Sequence, residues 1–359
     1  MHHALVAPLF EGPLDVIGDV HGELGLLRTL LGKLGYDEDG VHPDLRRLVF
    51  IGDLVDRGPD SPGVVRFVMD LVAQGLAQCV LGNHELNIAA GKPREGNGWF
   101  RGDPEEGGHF VAEPVAAEDR ADIQAFFEGL PVVLERPDLR LVHAAWHGPS
   151  VAALRGVDEP WRAPYDRVEG AIRAGLAARG ITREVVKALE EEHGVRRPGP
   201  APPWIEALAI NDEDQQMGNP VRVLVSGFEA RTAQPFWVGG RWRMVERVDW
   251  WSGYSDPTPV LVGHYWRSPA PDRFVYEDLV TPAGEIPGTS IFAGVEPFDW
   301  FGLRRNVFCI DYCAGARWKE RQVAPDGPFH GRLTAMRVPE WQLVTDDGVR
   351  RAVGSPGAG

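Results

Sequence analysis

The chain has 359 residues, enough for one large domain or two ordinary ones, and a formal net charge of −15 at pH 7. That balance argues against a broad electrostatic grip on duplex nucleic acid or an anionic membrane, which rests on neutralising phosphates with basic side chains, and so disfavours a nuclease; it leaves room for a small anionic ligand in a locally cationic pocket. With no apolar run of about 18 residues and no leader-like start, the expectation is a cytoplasmic protein, and Cys79, Cys309 and Cys313 read as buried, reduced thiols.

The first third repeats one pattern three times: an apolar strand, a polar turn containing glycine, and an amphipathic helix, which is the α/β rhythm. Strand "LDVIGDV" (14–20) precedes a helix with Leu24, Leu27, Leu30, Leu31 and Leu34 on one face and Gly35 as its stop. Strand "RLVFIGD" (47–53) precedes a helix capped by Ser61, with Pro62 at its first position, and "LAQCVLGN" (76–83) precedes a third helix beginning near His84. Residues 91–120, rich in Gly, Glu and Pro, read as a long surface loop. A hairpin turns around Pro137 and Asp138, and "PVLVGHYW", "NVFCIDYC" and "GRLTAMRVPEWQLV" supply further strands. Between 147 and 258 the character changes. Two helices are expected, one opened by Asp166 with Glu169 in capping-box spacing and one closed by Gly194, followed by a segment with Trp204, Trp237, Trp242, Trp250 and Trp251. That stripe reads first as the core of an insertion and second as a lid offering faces for base stacking.

Three strand ends share a form: "GDVHG" (18–22), "GDLVDRG" (52–58) and "GNHE" (82–85). Taken singly each is a polar turn with a surface ion pair. In a parallel sheet, however, neighbouring strands end at one rim, so Asp19, His21, Asp53, Asp56, Arg57, Asn83 and His84 should converge there. His143 in "LVHAAW" and His264 in "VLVGHYW" end later strands; a lone strand-end histidine is more often a satisfied core residue, and only the upstream triplet raises these two to candidate ligands. Asp, Asn and His suit first-row divalent metals. His109, His147 and His193 have no such support, and Glu85 reads as a support for its neighbours rather than a ligand.

This pattern resembles the calcineurin-like metallophosphoesterase superfamily, in the branch of phosphoprotein phosphatases and diadenosine tetraphosphate hydrolases, over residues 14–146 and 258–346. The resemblance implies an α/β/β/α sandwich whose core is formed by 1–146 and 258–346, with a helical and Trp-rich insertion at 147–257 and a tail at 347–359. It implies two divalent metal ions, manganese first, with iron, zinc, cobalt, nickel or magnesium as alternatives. Asp19 and His21 would hold the first, Asp53 would bridge, and Asn83, His143 and His264 would hold the second. His84 would be the general acid oriented by Asp56, and Arg57 a phosphate clamp. The implied reaction is hydrolysis of a phosphate ester or anhydride by a metal-bridging hydroxide, on a nucleotide or small-molecule phosphate. A serine/threonine protein phosphatase acting on a phosphoprotein is the alternative, and a non-catalytic scaffold retaining the fold is the alternative of another class.

The sequence departs from the family pattern in two places. "HAAWH" brings Trp146 to the expected rim where glycines are usual, and no segment matches the family's second arginine clamp, for which Arg222, Arg267 and Arg317 are candidates. "IDYCAGAR" (310–317) resembles the stretch that sets a tyrosine over the site in protein phosphatases, which makes Tyr312 a candidate substrate contact together with Arg267.

Overall fold

A computed structural model describes residues 4–92, 94, 96–102, 113–269 and 291–357. In chain order, β1 (Val6–Pro8) and β2 (Leu14–Ile17) lead to α1 (Leu24–Leu34), β3 (Arg47–Phe50), α2 (Ser61–Ala73), β4 (Ala77–Cys79), α3 (Asn83–Ala89), α4 (Gly98–Arg101) and α5 (Arg120–Gly129). The hairpin β5 (Val133–Arg136) and β6 (Leu139–Val142) follows. Then come α6 (Gly148–Leu154), α7 (Arg162–Ala178), α8 (Arg183–Glu192), α9 (Glu206–Met217), α10 (Pro220–Ser226) and the hairpin β7 (Phe228–Val238) and β8 (Arg241–Val248). β9 (Val260–Val262), β10 (Val307–Cys309), α11 (Arg317–Val323), β11 (Thr334–Val338), β12 (Gln342–Thr345) and β13 (Arg350–Ala352) complete the order. Among the described residues no helix is long and apolar enough to cross a membrane.

The strands form two main sheets, ordered β13-β12-β11-β2-β3-β4 and β1-β5-β6-β9-β10, with β7 and β8 apart as a ribbon. Side chains on a strand alternate between faces, and that alternation separates the layers. Val16, Val49, Ile51 and Val80 from the first sheet meet Leu134, Leu139, Leu141 and Leu261 from the second in one buried cluster between the sheets. Their chain neighbours Ile17, Leu48 and Phe50 join instead the cluster containing Leu27, Leu30, Val64 and Val68 of α1 and α2. Val133, Val142, Val260 and Val262 join that same cluster, which also holds Val151, Leu154, Tyr165, Val221 and Leu224 of α6, α7 and α10. Helices thus cover the outer faces of two stacked sheets, an α/β/β/α arrangement. The three cysteines are buried and form no disulfide.

Local chemistry moves several expected boundaries. α2 is capped by Asp60, whose carboxylate accepts the Gly63 N–H at 2.7 Å; Ser61 is already helical, and its hydroxyl accepts the Asp56 N–H at 2.9 Å. α7 begins at Arg162, and Asp166 lies inside it accepting from Arg162 Nε at 2.6 Å, so Asp166 is not a cap. The segment 147–257 holds five helices rather than two, and it divides between two cores: α6, α7 and α10 join the main one, while Val195, Leu208, Trp242 and Met244, around α8, α9 and β8, form their own. Trp242, Trp250 and Trp251 are buried, so the aromatic stripe is mainly core. Within the expected tail, Arg350–Ala352 add an edge strand to the first sheet.

The first sheet is also clamped by charge. Asp15, fully buried on β2, accepts from Arg46 Nε and Nη2 at 2.9 and 3.0 Å, Arg337 Nε at 2.9 Å and the Tyr36 hydroxyl at 2.9 Å, joining β2 to β11 and to the segment entering β3.

Candidate active site

β2, β3 and β4 are parallel neighbours, so the turns that follow them share one rim. There His21 Nε2 lies 3.9 Å from Asp19 Oδ2 and 3.8 Å from Asp53 Oδ2. On the other side His143 Nε2 lies 3.3 Å from Asp53 Oδ1 and 3.2 Å from Asn83 Oδ1, and His264 Nδ1 lies 2.7 Å from the same Asn83 oxygen. Asp53 therefore turns one oxygen toward each set. The second sheet delivers its share: His143 follows β6, His264 follows β9, and the His264 N–H donates to Asp19 Oδ2 at 3.0 Å. The structure thus brings together all six candidate ligands.

Backbone strain holds the constellation in place. His21, Asp53, Asp56, Arg57 and His264 all have positive φ, between 47° and 71°, a conformation that side-chain-bearing residues adopt only when their surroundings impose it. Glu85 is one such constraint. Its buried carboxylate accepts the N–H groups of Asp53, Leu54 and Gly82 at 2.9, 2.8 and 3.1 Å, tying the turn after β3 to the turn after β4. A glycine is required at 82 because a Cβ there would lie 2.3 Å from the Asp53 nitrogen.

The electrostatics are those of a cation site. Burial, then the charges of Asp311 and Asp53, raise the Asp19 carboxyl well above the usual range. Burial would also raise Asp53, yet His143, His84 and His21 around it hold it well below. Burial and nearby cations keep His21 and His264 neutral, the form that ligates metal. His21 Nδ1 is 3.0 Å from the Val55 carbonyl and His143 Nδ1 is 2.8 Å from that of Ile51, which fixes both rings with Nε2 toward the cluster.

Two overlapping groups, His21 with Asp53 and His84, and Asp53 with His143 and His264, have donor atoms close enough to share an ion. His264 Nε2 is buried with no partner among the described residues, and the positive group against His21 Nε2 is the Arg57 guanidinium, at 2.5 Å. This donor set, mixed carboxylate, amide oxygen and imidazole, fits divalent first-row metals.

His84 differs from the other rings. Its side chain is 16% exposed, whereas those of His21 and His143 are buried, so it stands at the mouth. Its Nδ1 is 2.6 Å from Asp56 Oδ2, and its Nε2 is 3.3 Å from Arg57 Nη2. Asp56 is held in turn by Asn97 Nδ2 at 2.8 Å and Trp99 Nε1 at 2.7 Å. Sequence reasoning missed Asn97 and Trp99 because they fall in the segment assigned to a loop; a tryptophan inside "GNGWF" was the available signal. It also passed over Asp311, a buried carboxylate near Asp19 that accepts the N–H groups of Trp266 and Cys313 at 2.9 Å each, and Trp266, over whose ring Arg57 lies 4.7 Å from the centroid.

Other expectations are corrected. Tyr312 is buried against Phe298 and donates its hydroxyl to the Pro297 carbonyl at 2.6 Å, away from the ligands. Arg267 is buried beside Phe301 and Phe308 and donates to the Glu296 and Asp299 carbonyls at 2.6 Å each; Arg317 pairs with Asp346 at 2.6 Å. Arg267 and Arg317 are thus engaged within the protein, and the third candidate clamp, Arg222, pairs with Glu169 at 3.3 Å. Trp146 is buried beneath the Arg140 guanidinium. His147 bonds the Ser150 hydroxyl, His193 ends α8, and His109 lies outside the described residues.

Two stacked sheets carry this cluster of Asp, Asn and His side chains at their shared rim. Residues 12–174 match the calcineurin-like phosphoesterase family. Among curated proteins it is similar to the asymmetrical bis(5'-nucleosyl)-tetraphosphatase PrpE of Oceanobacillus iheyensis, 50% identical over 74 residues, 20% of this chain and 30% of the relative. PrpE of Bacillus velezensis is 36% identical over 146 residues, 36% of this chain and 55% of the relative. The chain thus spans about a third to about half of the length of these relatives. Among solved structures, the cold-active protein-tyrosine phosphatase of a Shewanella species aligns with a TM-score of 0.46 and 14% identity, over 97% of this chain and 82% of that one.

Proposed function

We propose that the chain hydrolyses phosphate esters or anhydrides with two divalent metal ions, one held by Asp19, His21 and Asp53 and the other by Asp53, Asn83, His143 and His264. The observation that carries this reading is Asp53, which presents one oxygen to His21 and the other to His143. Bound there, the cations would supply Lewis acidity toward phosphoryl oxygens and acidify water.

The chain's own groups do the rest. Arg57 offers a planar fork of donors for equatorial phosphate oxygens, which a lysine would not reproduce. His84 gives a proton to the leaving oxygen, with Asp56 fixing its tautomer and supporting the charged ring. Trp99 and Asn97 keep Asp56 from rotating away. The preferred substrate is a nucleoside polyphosphate, a reading supported by the similarity to bis(5'-nucleosyl)-tetraphosphatases.

A hydrolysis panel with Mn²⁺ tests the proposal: p-nitrophenyl phosphate, a phosphopeptide, diadenosine tetraphosphate and a cyclic nucleotide. Turnover that disappears with EDTA and favours the dinucleotide is expected. Preference for the phosphopeptide would make the enzyme a protein phosphatase, and no turnover with metal bound would make it a scaffold.

A further inference from the structure

A cavity of about 1000 Å³ lies between α8, α9 and the β7–β8 ribbon, outside the ligand cluster. Eight cationic side chains and four carboxylates line it, in a chain whose net charge is −15. Its charges are only partly met from within. Arg243 Nη2 pairs with both oxygens of Glu229 at 2.8 Å, Arg241 with Asp212 at 2.8 Å, and Arg222 with the Tyr165 hydroxyl at 2.9 Å. The Nε atoms of these three arginines are nevertheless buried with no acceptor among the described residues. Arg94 and Arg247 line the cavity from exposed positions, and neither guanidinium has a hydrogen-bond or ion-pair partner among the described residues, so the buried donors in need of an acceptor are the three Nε atoms. Buried donors without acceptors are costly unless a ligand supplies them.

The cavity adjoins the rim. Arg222 sits on α10, whose Leu224 carbonyl accepts the N–H groups of Ala144 and Ala145, next to His143, at 2.9 and 3.2 Å. Gln216, also in the lining, donates to the Gly227 carbonyl at 2.8 Å, and Gly227 packs so closely on Tyr265, next to His264, that a Cβ there would lie 2.4 Å from the Tyr265 hydroxyl.

We propose that this cavity binds the phosphates of the substrate beyond the one cleaved, with Arg94 and Arg247 as free contacts, so that the preferred ligand is a compact oligophosphate rather than a monoester. Arginine forks match phosphate oxygens in pairs, and a concave site of this size suits a nucleotide rather than an extended polymer. The surrounding negative charge opposes long polyanions. The link to turnover rests on the phosphoesterase reading; the anion binding itself does not.

Calorimetric titration of the full chain with inorganic tripolyphosphate, against orthophosphate and with and without EDTA, tests this. Tripolyphosphate should bind at least about tenfold more tightly than orthophosphate, keep that binding in EDTA, and weaken as salt rises. Arg94→Gln and Arg247→Gln should each weaken it about tenfold, with melting temperatures unchanged; because the two are independent, one misfolded variant leaves the other decisive. Equal binding of the two anions, binding lost in EDTA, or binding unchanged in both folded variants would each overturn the proposal. A chain that hydrolyses esters yet gives one of those results keeps the chemistry and loses the cavity. One that binds tripolyphosphate through Arg94 and Arg247 but shows no metal-dependent hydrolysis keeps the cavity and loses the chemistry.

Discussion

His84 Nδ1 and Asp56 Oδ2 are 2.6 Å apart, and both oxygens of Asp56 are occupied, Oδ2 also by Asn97 and Oδ1 by Trp99. A carboxylate satisfied in this way cannot swing to another partner. It fixes one imidazole nitrogen as donor and leaves the other for the substrate. His84→Ala should therefore lower kcat by roughly 10² to 10⁴ on alkyl phosphates, which need a protonated leaving group, and far less on p-nitrophenyl phosphate. Equal losses on both would remove the acid role.

Trp99→Phe keeps the packing but deletes the N–H that holds Asp56 Oδ1. A loss of about tenfold in kcat on the same poor leaving groups is expected, with KM little changed. Unchanged kcat would show that Asn97 alone positions Asp56.

Asp53→Asn should abolish metal-dependent turnover while the chain stays folded, since a neutral amide cannot offset two cations. Metal content by mass spectrometry and a thermal melt check the two halves of that statement. Full activity in a folded variant would end the dinuclear scheme.

Metal removal should destabilise, and more so as pH rises. Without metal the Asp19 carboxyl, raised by burial and by Asp311 and Asp53, keeps its proton above the usual carboxylate range. A raised folded-state value contributes stability that is fully present below the unfolded value and lost as pH rises through the folded one. Cations replace that proton, so the gain in melting temperature from Mn²⁺ should grow from pH 5 toward pH 8; at a hundredfold excess over Kd it corresponds to about 2.7 kcal/mol. A gain that shrinks with pH would contradict the arrangement.

Asp15→Ala should cost about 3–5 kcal/mol, because it removes the buried carboxylate shared by Arg46, Arg337 and Tyr36 and leaves Arg46 only the half-exposed Glu340 as a charge partner. Urea unfolding of the two proteins measures it, with metal content expected to stay unchanged. A loss below about 1 kcal/mol would mean that Glu340, which also pairs with Arg46, suffices.

What was legible in the sequence was whatever depended on short-range pattern. The strands ending at Asp19, Asp53 and Asn83 were readable because an apolar run must stop somewhere and a glycine marks the stop; Gly35 ended α1 in the left-handed conformation expected of it. The α2 cap was misplaced by one residue because Asp60 and Ser61 are both good acceptors, and only the fold turns the serine toward the Asp56 N–H. Tyr312 was assigned by the likeness of "IDYCAGAR" to a known stretch and Arg267 as one of three arginines where no segment matched, yet the facing of a side chain depends on packing that no local pattern carries. Arg247 was invisible for the converse reason. Nothing around it in sequence marks a site, and only the folded β7–β8 ribbon brings it into the same cavity lining as Arg94.

One contact spans nearly the whole distance from the first strand to the later ones: the His264 N–H reaches Asp19 across 245 positions. During synthesis the first three motifs leave the ribosome long before their counterparts on β6 and β9 exist, so the early half can pair β2, β3 and β4 while holding at most part of the cluster, and β11–β13 join the same sheet later still. The full ligand set closes only when the second sheet docks, a step of high sequence separation that should be slow relative to the local helices. Metal acquisition in this chain would then be a late event, and a loaded centre a record that both sheets have met.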